Sequence, residues 1–280
     1  MAGVLSGAVD FDVHAGPDMV ARKVSIAELA RLCMDAGMKG FMVRSHMMPT
    51  VTLARLVSES YPEMLIAGNV VLNESVGGLN PSAARVAIEM GARAVFMPTF
   101  DSTNHIAKLG PVTPKSPVGI SVLDRRNELL PSVVEIMGIV ADSGVVLGTG
   151  ELSATEILRL VRASKQLGLK KLVVNHPEYW IIGLTEDEQK RIVESGAYVE
   201  HSFVFTTVVV PKRTSFSKIA RMIRRHGHER CLMATDSGQP PIPSSPQALR
   251  IFVDQMRKEG IPQSHIDVMI RSNPLELLAK

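Results

Sequence analysis

The amino-acid sequence predicts a single (β/α)₈ barrel over residues 1–280. Short apolar runs recur along the whole chain, and segments with helix start signals separate them. No long linker, low-complexity tract or change in composition divides the chain into parts. Hydrophobic residues make up 45% of the sequence, which is enough to bury a sizeable core. These observations together favour repeated βα units in one domain.

The apolar runs are the predicted strands, and they are rich in Val, Ile, Leu, Met and Ala without regular polar alternation. This composition is typical of parallel strands that are covered on both faces. The predicted strands are residues 8–13, 40–44, 65–71, 94–98, 145–148, 171–175, 198–200 and 231–235. Eight parallel strands are the number that closes a barrel.

Helix start signals lie between these strands. Several Ser and Thr residues precede a Glu by the spacing of a capping box, and two polar residues precede a proline at the expected first helical position. The capping pairs are Ser25 with Glu28, Ser132 with Glu135, Ser153 with Glu156 and Thr185 with Glu188, and the proline sites are Asn80-Pro81 and Ser245-Pro246. A doubly wound open sheet is the main alternative fold. The first strand is not followed by the G-x-G-x-x-G turn typical of that fold.

Charge and cysteine content limit the possible partners. The net charge of +3 is too small to indicate a polyanion partner, and the basic segment at 221–230 contains no aromatic residues, so we expect no nucleic-acid binding. Cys33 and Cys231 both lie in apolar contexts that favour buried free thiols. Neither a secretory signal nor an apolar run long enough to span a membrane is present, so we expect a cytoplasmic protein without membrane contact. A small-molecule substrate is the expected partner, and a homo-oligomer is possible.

One connection is longer than a normal βα loop. Residues 99–130 show little periodicity and contain several Gly and Pro residues. Long loops in compact domains often serve as lids or binding loops. In a barrel this loop is expected to cover the mouth at the carboxyl ends of the strands.

Potential metal ligands follow at least five of the predicted strands. Strands of a barrel deliver their C-terminal residues to one mouth, and carboxylates and imidazoles converging there can bind a metal ion. The candidate ligands are Asp12, His14, His46, Glu151, His176 and Asp236. Each residue alone has an ordinary structural explanation as a cap or turn residue. Their recurrence at strand ends favours a metal site.

The same stretches resemble a known superfamily. The string VDFDVHAGPD at residues 9–18 resembles the opening strand of amidohydrolase-superfamily barrels. More narrowly, the chain is similar to a poorly characterised group of amidohydrolase-like proteins, sometimes filed as a domain of unknown function. The stretches that carry this resemblance include RSHMMPT at 44–50, LNESVGGLNP at 72–81, TGELS at 149–153, VNHPEYW at 174–180 and ATDSGQ at 234–239.

The resemblance implies a ligand set. The superfamily uses H-x-H on strand 1, histidines after strands 5 and 6, and an aspartate after strand 8. The matching positions here are Asp12, His14, Glu151, His176 and Asp236, so two of the expected histidines are carboxylates. Carboxylates favour harder ions, so Mn²⁺ suits this set better than it suits a histidine-rich set, and Zn²⁺ still accepts mixed ligands. We therefore expect one divalent ion, Zn²⁺ or Mn²⁺.

The function that follows is metal-assisted hydrolysis of a small amide, cyclic amide or lactone. Asp236 is expected to accept a proton from the attacking water, and His176 or His201 to stabilise the developing oxyanion. Arg44 either binds a substrate carboxylate or forms an ion pair with a nearby acidic residue. A metal-dependent decarboxylase or lyase is one alternative. A catalytically silent barrel that binds a small ligand is another, and the carboxylates at Asp12 and Glu151 keep it open.

Overall fold

A computed structural model describes residues 3–111 and 119–279. Its strands are β1 (Val9–Val13), β2 (Gly40–Val43), β3 (Leu65–Ala67), β4 (Asn69–Val71), β5 (Ala94–Phe96), β6 (Val146–Gly148), β7 (Leu172–Asn175), β8 (Tyr198–Ser202) and β9 (Cys231–Ala234). Its α-helices are α1 (Ile26–Asp35), α2 (Val51–Ser60), α3 (Pro81–Glu89), α4 (Thr103–Leu109), α5 (Pro131–Ser143), α6 (Ala154–Gln166), α7 (Glu186–Glu194), α8 (Phe216–His226), α9 (Ser245–Lys258), α10 (Gln263–Asp267) and α11 (Asn273–Leu278). Short 3₁₀ turns follow β4 and β8, and a π-helical turn joins α10 to α11. None of the described helices combines the length and the apolar character needed to cross a bilayer.

The strands form a closed parallel barrel. Hydrogen-bonded neighbours follow the order of the chain, from β1 to β3 and from β4 to β9. The first and last strands meet because the Asp236 amide donates to the Asp12 carbonyl at 2.8 Å, and the His14 amide donates to the Ser237 carbonyl at 2.7 Å. A parallel sheet that returns to its first strand and alternates with helices is a (β/α)₈ barrel. The predicted fold class is therefore confirmed.

The predicted third strand, residues 65–71, is split into β3 and β4 at Gly68. A Cβ atom at Gly68 would lie 2.5 Å from the Cα atom of Val51 at the start of α2, so glycine permits this close approach. The Thr50 hydroxyl bridges the gap, because it accepts from the Asn69 amide at 2.9 Å and donates to the Val43 carbonyl at 2.8 Å. The apolar run continues through the break, so hydropathy alone does not show it.

Most predicted helix starts are confirmed. The capping residues that match the prediction are Ser25, Asn80, Ser153 and Thr185. Two predictions are wrong. Helix α5 begins at Pro131, so Ser132 lies inside its first turn, and α9 is capped by Ser244 and begins at Ser245. In both helices the proline lies within the first two positions, where its missing amide hydrogen costs no helical hydrogen bond.

An apolar layer fills the barrel below its mouth. It is formed by inward side chains that include Val9, Phe11, Met42, Phe96, Tyr198 and Leu232. Leu277 and Leu278 of α11 belong to the same cluster, and the Leu277 carbonyl accepts a hydrogen bond from Lys171, which precedes β7. The last helix therefore closes the N-terminal end of the barrel, and the polar side chains are confined to the opposite end.

Asp10 fastens the first strand to the last strand and to α9. Its Oδ1 accepts from the Thr235 amide at 2.9 Å, and its Oδ2 accepts from the Ser245 hydroxyl at 2.6 Å. Burial raises the pKa of Asp10 to about 6, although the hydrogen bonds from Ser245 and Thr235 lower it in part. The folded protein therefore holds this proton more tightly than the unfolded chain does.

The stability that Asp10 contributes is consequently full below pH about 4 and is lost as the pH rises through about 6. We expect Asp10→Asn to remove this loss, because an amide does not ionise. Urea unfolding of both proteins between pH 4 and pH 7 should show that their difference in unfolding free energy changes by up to about 3 kcal/mol, at 1.36 kcal/mol for each pKa unit. A difference that stays constant across this range would contradict the assignment.

Candidate active site

The predicted site residues of β1 reach the mouth through an irregularity in that strand. The pairing of β1 with β2 shifts by one residue between Asp10 and Val13, which is a β-bulge. Phe11 faces the apolar interior, and Asp12 and His14 then both contact the polar cluster above it. A regular strand would place Phe11 and Asp12 on opposite faces. The bulge therefore brings the Asp12 carboxylate into the mouth.

Left-handed backbone places two more of these residues. His176 follows β7 with φ of 51°, and Asp236 follows β9 with φ of 50°. Non-glycine residues in this region cost about 1–3 kcal/mol each and persist where the surrounding structure holds them. Here the turn directs the His176 ring and the Asp236 carboxylate to the same point inside the mouth. Backbone strain of this kind clusters at functional sites.

Arg44 lies at the centre of the cluster. Its Nη2 atom is 2.6 Å from Asp12 Oδ2, 3.3 Å from Asp236 Oδ1 and 3.3 Å from His176 Nε2. The side chain is only 1% exposed. Burial lowers the pKa of Arg44, but the Asp12, Asp236 and Glu200 carboxylates outweigh it and raise the pKa overall. One guanidinium nitrogen thus lies at the point where three of the predicted metal ligands, Asp12, His176 and Asp236, meet.

The hydrogen bonds of His14 leave a lone pair facing this point. His14 Nδ1 lies 2.7 Å from the Arg44 carbonyl oxygen, which can only accept, so Nδ1 carries the proton. Burial lowers the pKa of His14, which keeps the ring neutral and leaves Nε2 as an acceptor. Nε2 nevertheless lies 2.9 Å from Asp236 Oδ1, a second acceptor. Only a positive charge between them, a proton or a metal ion, makes this contact favourable.

His176 presents its Nε2 in the same way. The Ser202 hydroxyl donates to Glu200 Oε1 at 2.8 Å, so it accepts from His176 Nδ1 at 2.8 Å. Burial lowers the pKa of His176 to about 3, so the ring is neutral and Nε2 carries a lone pair. That lone pair now accepts from the Arg44 guanidinium. The network therefore prepares two imidazole nitrogens as ligands.

The carboxylates of the cluster outnumber its one guanidinium. Burial raises the pKa of Asp12 well above its usual range although Arg44 lowers it, and burial raises the pKa of Glu200 to about 7. Burial also raises the pKa of Asp236, but the contacts with His14, His176 and Arg44 outweigh burial. The pKa of Asp236 is therefore well below its usual range. Within the described residues, neither carboxylate oxygen of Asp12 accepts a hydrogen bond, and the ion pair with Arg44 is its main compensation.

This donor set fits a divalent cation. Two groups of buried side chains share Asp12, and within each group the ligand atoms lie within 4.8 Å of one another. The first group is Asp12, His14 and Asp236, and the second is Asp12, His176 and Glu200. Mixed imidazole and carboxylate ligands suit Zn²⁺ and Mn²⁺. Because Arg44 Nη2 contacts three of the same side chains, a bound ion requires the guanidinium to withdraw.

Two of the predicted ligands lie beside the cluster. His46 Nδ1 lies 2.8 Å from the Thr99 hydroxyl, and its ring stacks on His14 at 4.8 Å and on Phe100 at 3.7 Å. Glu151 pairs with His105 of α4. The structure therefore brings together Asp12, His14, His176 and Asp236, with Arg44 among them, and it does not bring His46 or Glu151 into the same group of ligand atoms.

His201 is turned away from the mouth. Successive residues of a strand alternate between faces, and Glu200 takes the inward position while His201 faces the outer helices. His201 Nδ1 pairs with Glu178 at 2.8 Å instead. The structure thus contradicts the predicted contact of His201 with the site. Sequence reasoning missed the roles of Glu200 and Ser202, which the two-residue period of β8 could have indicated.

The predicted lid is partly helical. Within residues 99–130, α4 packs on the loops that follow β6 and β7, because the Asn104 amide donates to the carbonyls of Glu151 at 3.0 Å and Ile181 at 2.9 Å. The segment 112–118 lies outside the described residues. The lid function itself stays a prediction.

Comparisons with known proteins agree with this fold. Residues 7–200 match a family of unknown function, DUF6282. No curated protein matches the chain. The family match confirms the predicted similarity to a poorly characterised group with a domain of unknown function.

Solved structures of enzymes share the fold along nearly the whole chain. An amidohydrolase from Pseudomonas aeruginosa has a TM-score of 0.65 at 11% identity, over 98% of this chain and 96% of that chain. A lactonase from Listeria monocytogenes has a TM-score of 0.63 at 11% identity, over 99% and 96%. A 2,6-dihydroxybenzoate decarboxylase in complex with 2,6-dihydroxybenzoate has a TM-score of 0.62 at 14% identity, over 98% and 100%. At these identities the likeness shows the fold.

Removing the central guanidinium should leave the carboxylates without a cation. We expect Arg44→Met to lower the unfolding free energy of metal-free protein by about 3–5 kcal/mol at pH 8. Arg31→Met is the control, because its ion pair with Asp35 is more than half exposed and contributes at most about 1 kcal/mol. Denaturant unfolding in the presence of a chelator measures both. Equal stabilities of the two variants would contradict the central position of Arg44.

Proposed function

The chain belongs to DUF6282, a family of unknown function, and we propose that it is a metal-dependent hydrolase acting on a small amide, cyclic amide or lactone. The observation that carries this proposal is the gathering of two imidazole Nε2 atoms and two carboxylates at the barrel mouth. Asp12, His176 and Asp236 contact one nitrogen of Arg44, and His14 Nε2 contacts Asp236. Active sites of (β/α)₈ barrels lie at this end of the strands. The similarity in fold to an amidohydrolase and a lactonase supports the substrate class by analogy.

The proposed ligands of the ion are His14, His176 and Asp236, with Asp12 as an additional carboxylate. A divalent ion supplies Lewis-acid chemistry, since it activates water as a nucleophile and polarises a carbonyl oxygen. The ring of His14 is held by the Arg44 carbonyl, and that of His176 by Ser202, so neither ring has to reorient to use Nε2. Hydrogen bonds of this kind fix the tautomer of a metal-binding histidine.

Asp236 is the residue that we assign to proton transfer. Its carboxylate lies at the strand end beside His14 and Arg44, and it is the position at which the superfamily pattern places its aspartate. It accepts a proton from the attacking water and passes that proton to the leaving group. His176, beside it, can stabilise negative charge that develops on the substrate.

Arg44 has a second use once it leaves the carboxylates. Among the residues that the structure describes, its Nε and Nη1 atoms have no hydrogen-bond acceptor although they are buried. Buried donors of this kind are normally satisfied. A carboxylate or carbonyl oxygen of the substrate supplies the missing acceptor. Arg44 therefore either fills the ion position or binds substrate, and the ion decides between these states.

The site is closed to solvent in this structure, since Asp12, His14, Arg44 and His176 are each at most 2% exposed. A substrate must therefore displace part of the cover. Helix α4 is the proposed moving element, because Asn104 holds it on the rim through polar contacts with Glu151 and Ile181.

Binding of the ion and turnover should respond differently to substitutions of two residues in the site. We expect His176→Ala to lose one equivalent of Zn²⁺ or Mn²⁺ together with turnover, because alanine offers no ligand atom. Asp236→Asn should lower turnover by a factor of about 10²–10⁴ with a smaller loss of ion, because an amide oxygen can coordinate but cannot accept the proton. Elemental analysis and a panel of small amides, cyclic amides and lactones measure both quantities.

The control is His265→Ala, since His265 stacks on His228 outside the mouth. Full ion content and unchanged turnover in His176→Ala would exclude the assigned ligand set. Wild-type protein that takes up no ion from excess Zn²⁺ or Mn²⁺ would favour a silent ligand-binding barrel instead.

A decarboxylase is the second candidate function, and the fold similarity to 2,6-dihydroxybenzoate decarboxylase favours it. Product analysis in ¹⁸O-labelled water separates the two reactions. Hydrolysis places the label in the product, whereas release of carbon dioxide without label in the remaining product indicates decarboxylation.

Competition between Arg44 and the ion gives a further prediction. We expect Arg44→Met to bind Zn²⁺ or Mn²⁺ at the mouth at least about tenfold more tightly than the wild type, because the ion no longer displaces a charged side chain from its ligands. The ion should also restore the stability that the metal-free variant loses. Titration against a chelating dye measures the affinity. Weaker binding by the variant would show that Arg44 supports the ion rather than competing with it.

A further inference from the structure

A second cluster of possible metal ligands lies on the outer face of the barrel. The outward side chains of β8 and β9 include His201 and Cys231, and the last residue of α8, His226, packs against them. The ligand atoms of these three residues lie within 4.8 Å of one another. This cluster is separate from the site at the mouth, because His201 points away from Glu200 across the strand.

Three of the four ring nitrogens in this cluster have no hydrogen-bond partner within the described residues. Across residues 3–111 and 119–279, no hydrogen-bond partner reaches His201 Nε2 or either ring nitrogen of His226, and all three atoms are buried. His201 itself is fully buried. Buried polar atoms are normally hydrogen-bonded, so three unpaired nitrogens beside one thiol need an explanation. A shared ligand accounts for them together.

Glu178 orients His201 toward this ligand. Its Oε1 lies 2.8 Å from His201 Nδ1, so the ring donates there and directs Nε2 to His226 and Cys231. Glu178 is itself buried. A carboxylate on the far nitrogen of a metal-binding histidine is a recurrent arrangement, because it fixes the tautomer and makes the ring a stronger ligand.

The donor chemistry selects the ion. Two imidazoles and one thiolate are ligands that Zn²⁺ prefers, and a thiolate disfavours Mn²⁺ and Mg²⁺. The Cys231 thiol now lies 3.0 Å from the Gly227 carbonyl, to which it donates weakly, and an ion has to displace this contact. His226 is partly exposed, which leaves a route from solvent to the cluster.

We propose that His201, His226 and Cys231 form a zinc site that fastens the end of α8 to β8 and β9. Glu178 supports His201 from behind, and a water or another small ligand completes the coordination of the ion. The Cys231 thiol proton leaves when the ion binds, so binding weakens at low pH. The zinc site has a structural role. It does not depend on the proposed hydrolase activity, so a protein without that activity could still bind zinc here.

Cobalt substitution tests this site in the full-length chain. Co²⁺ bound to a thiolate gives a charge-transfer absorption that a site made only of imidazoles and carboxylates lacks. We expect this absorption in the wild type and in His176→Ala, and its loss in Cys231→Ser. Cys33→Ser is the matched control, because it removes the other buried thiol and should leave the absorption in place.

Zinc content and thermal stability give the second readout. His226→Gln changes a partly exposed residue and keeps the thiol, so it is the variant least disruptive to folding. Made in the His176→Ala background, in which the mouth is not expected to hold an ion, it should lose one equivalent of zinc and the increase in Tm that zinc gives the His176→Ala parent. The proposal is overturned if wild-type protein shows no thiolate–cobalt absorption, if Cys231→Ser retains it, or if His226→Gln binds zinc and gains Tm as the His176→Ala parent does.

Discussion

The buried positive charge of Arg44 is the constraint on which the mouth of the barrel depends. Three carboxylates, Asp12, Glu200 and Asp236, lie around it with almost no exposure to solvent. Buried carboxylates without a cation are costly, and the cost exceeds what neutral hydrogen bonds recover. The bulge in β1 and the left-handed turns at His176 and Asp236 are tolerated because they bring opposite charges together.

The same arrangement explains why an arginine and a metal ion can compete for one place. Each satisfies the carboxylates, and each can interact with the Nε2 lone pair of His176. The guanidinium stabilises the closed, metal-free barrel, whereas a divalent ion carries more charge and makes shorter contacts. Exchange of the guanidinium for a divalent ion would free Arg44 to bind a substrate. Binding of the ion would then favour binding of the substrate.

The sequence predicts much of this arrangement because barrel strands deliver their last residues to one mouth. That rule identifies His14, His176 and Asp236 without any structural information. It fails where alternation within a strand decides the outcome, because the predicted strand at 198–200 is too short to show which of Glu200 and His201 faces the mouth. The bulge in β1 and the break at Gly68 depend on contacts with neighbouring elements, so no local pattern reveals them.

We expect a divalent ion to replace the Arg44 guanidinium among Asp12, His14, His176 and Asp236. The most direct measurement is a crystal structure of the protein soaked in Mn²⁺ or Zn²⁺, with anomalous diffraction recorded at the absorption edge of the metal. We expect an anomalous peak within bonding distance of these side chains, and an Arg44 guanidinium that no longer contacts Asp12. A guanidinium that keeps this contact, with no peak at the mouth, would contradict it.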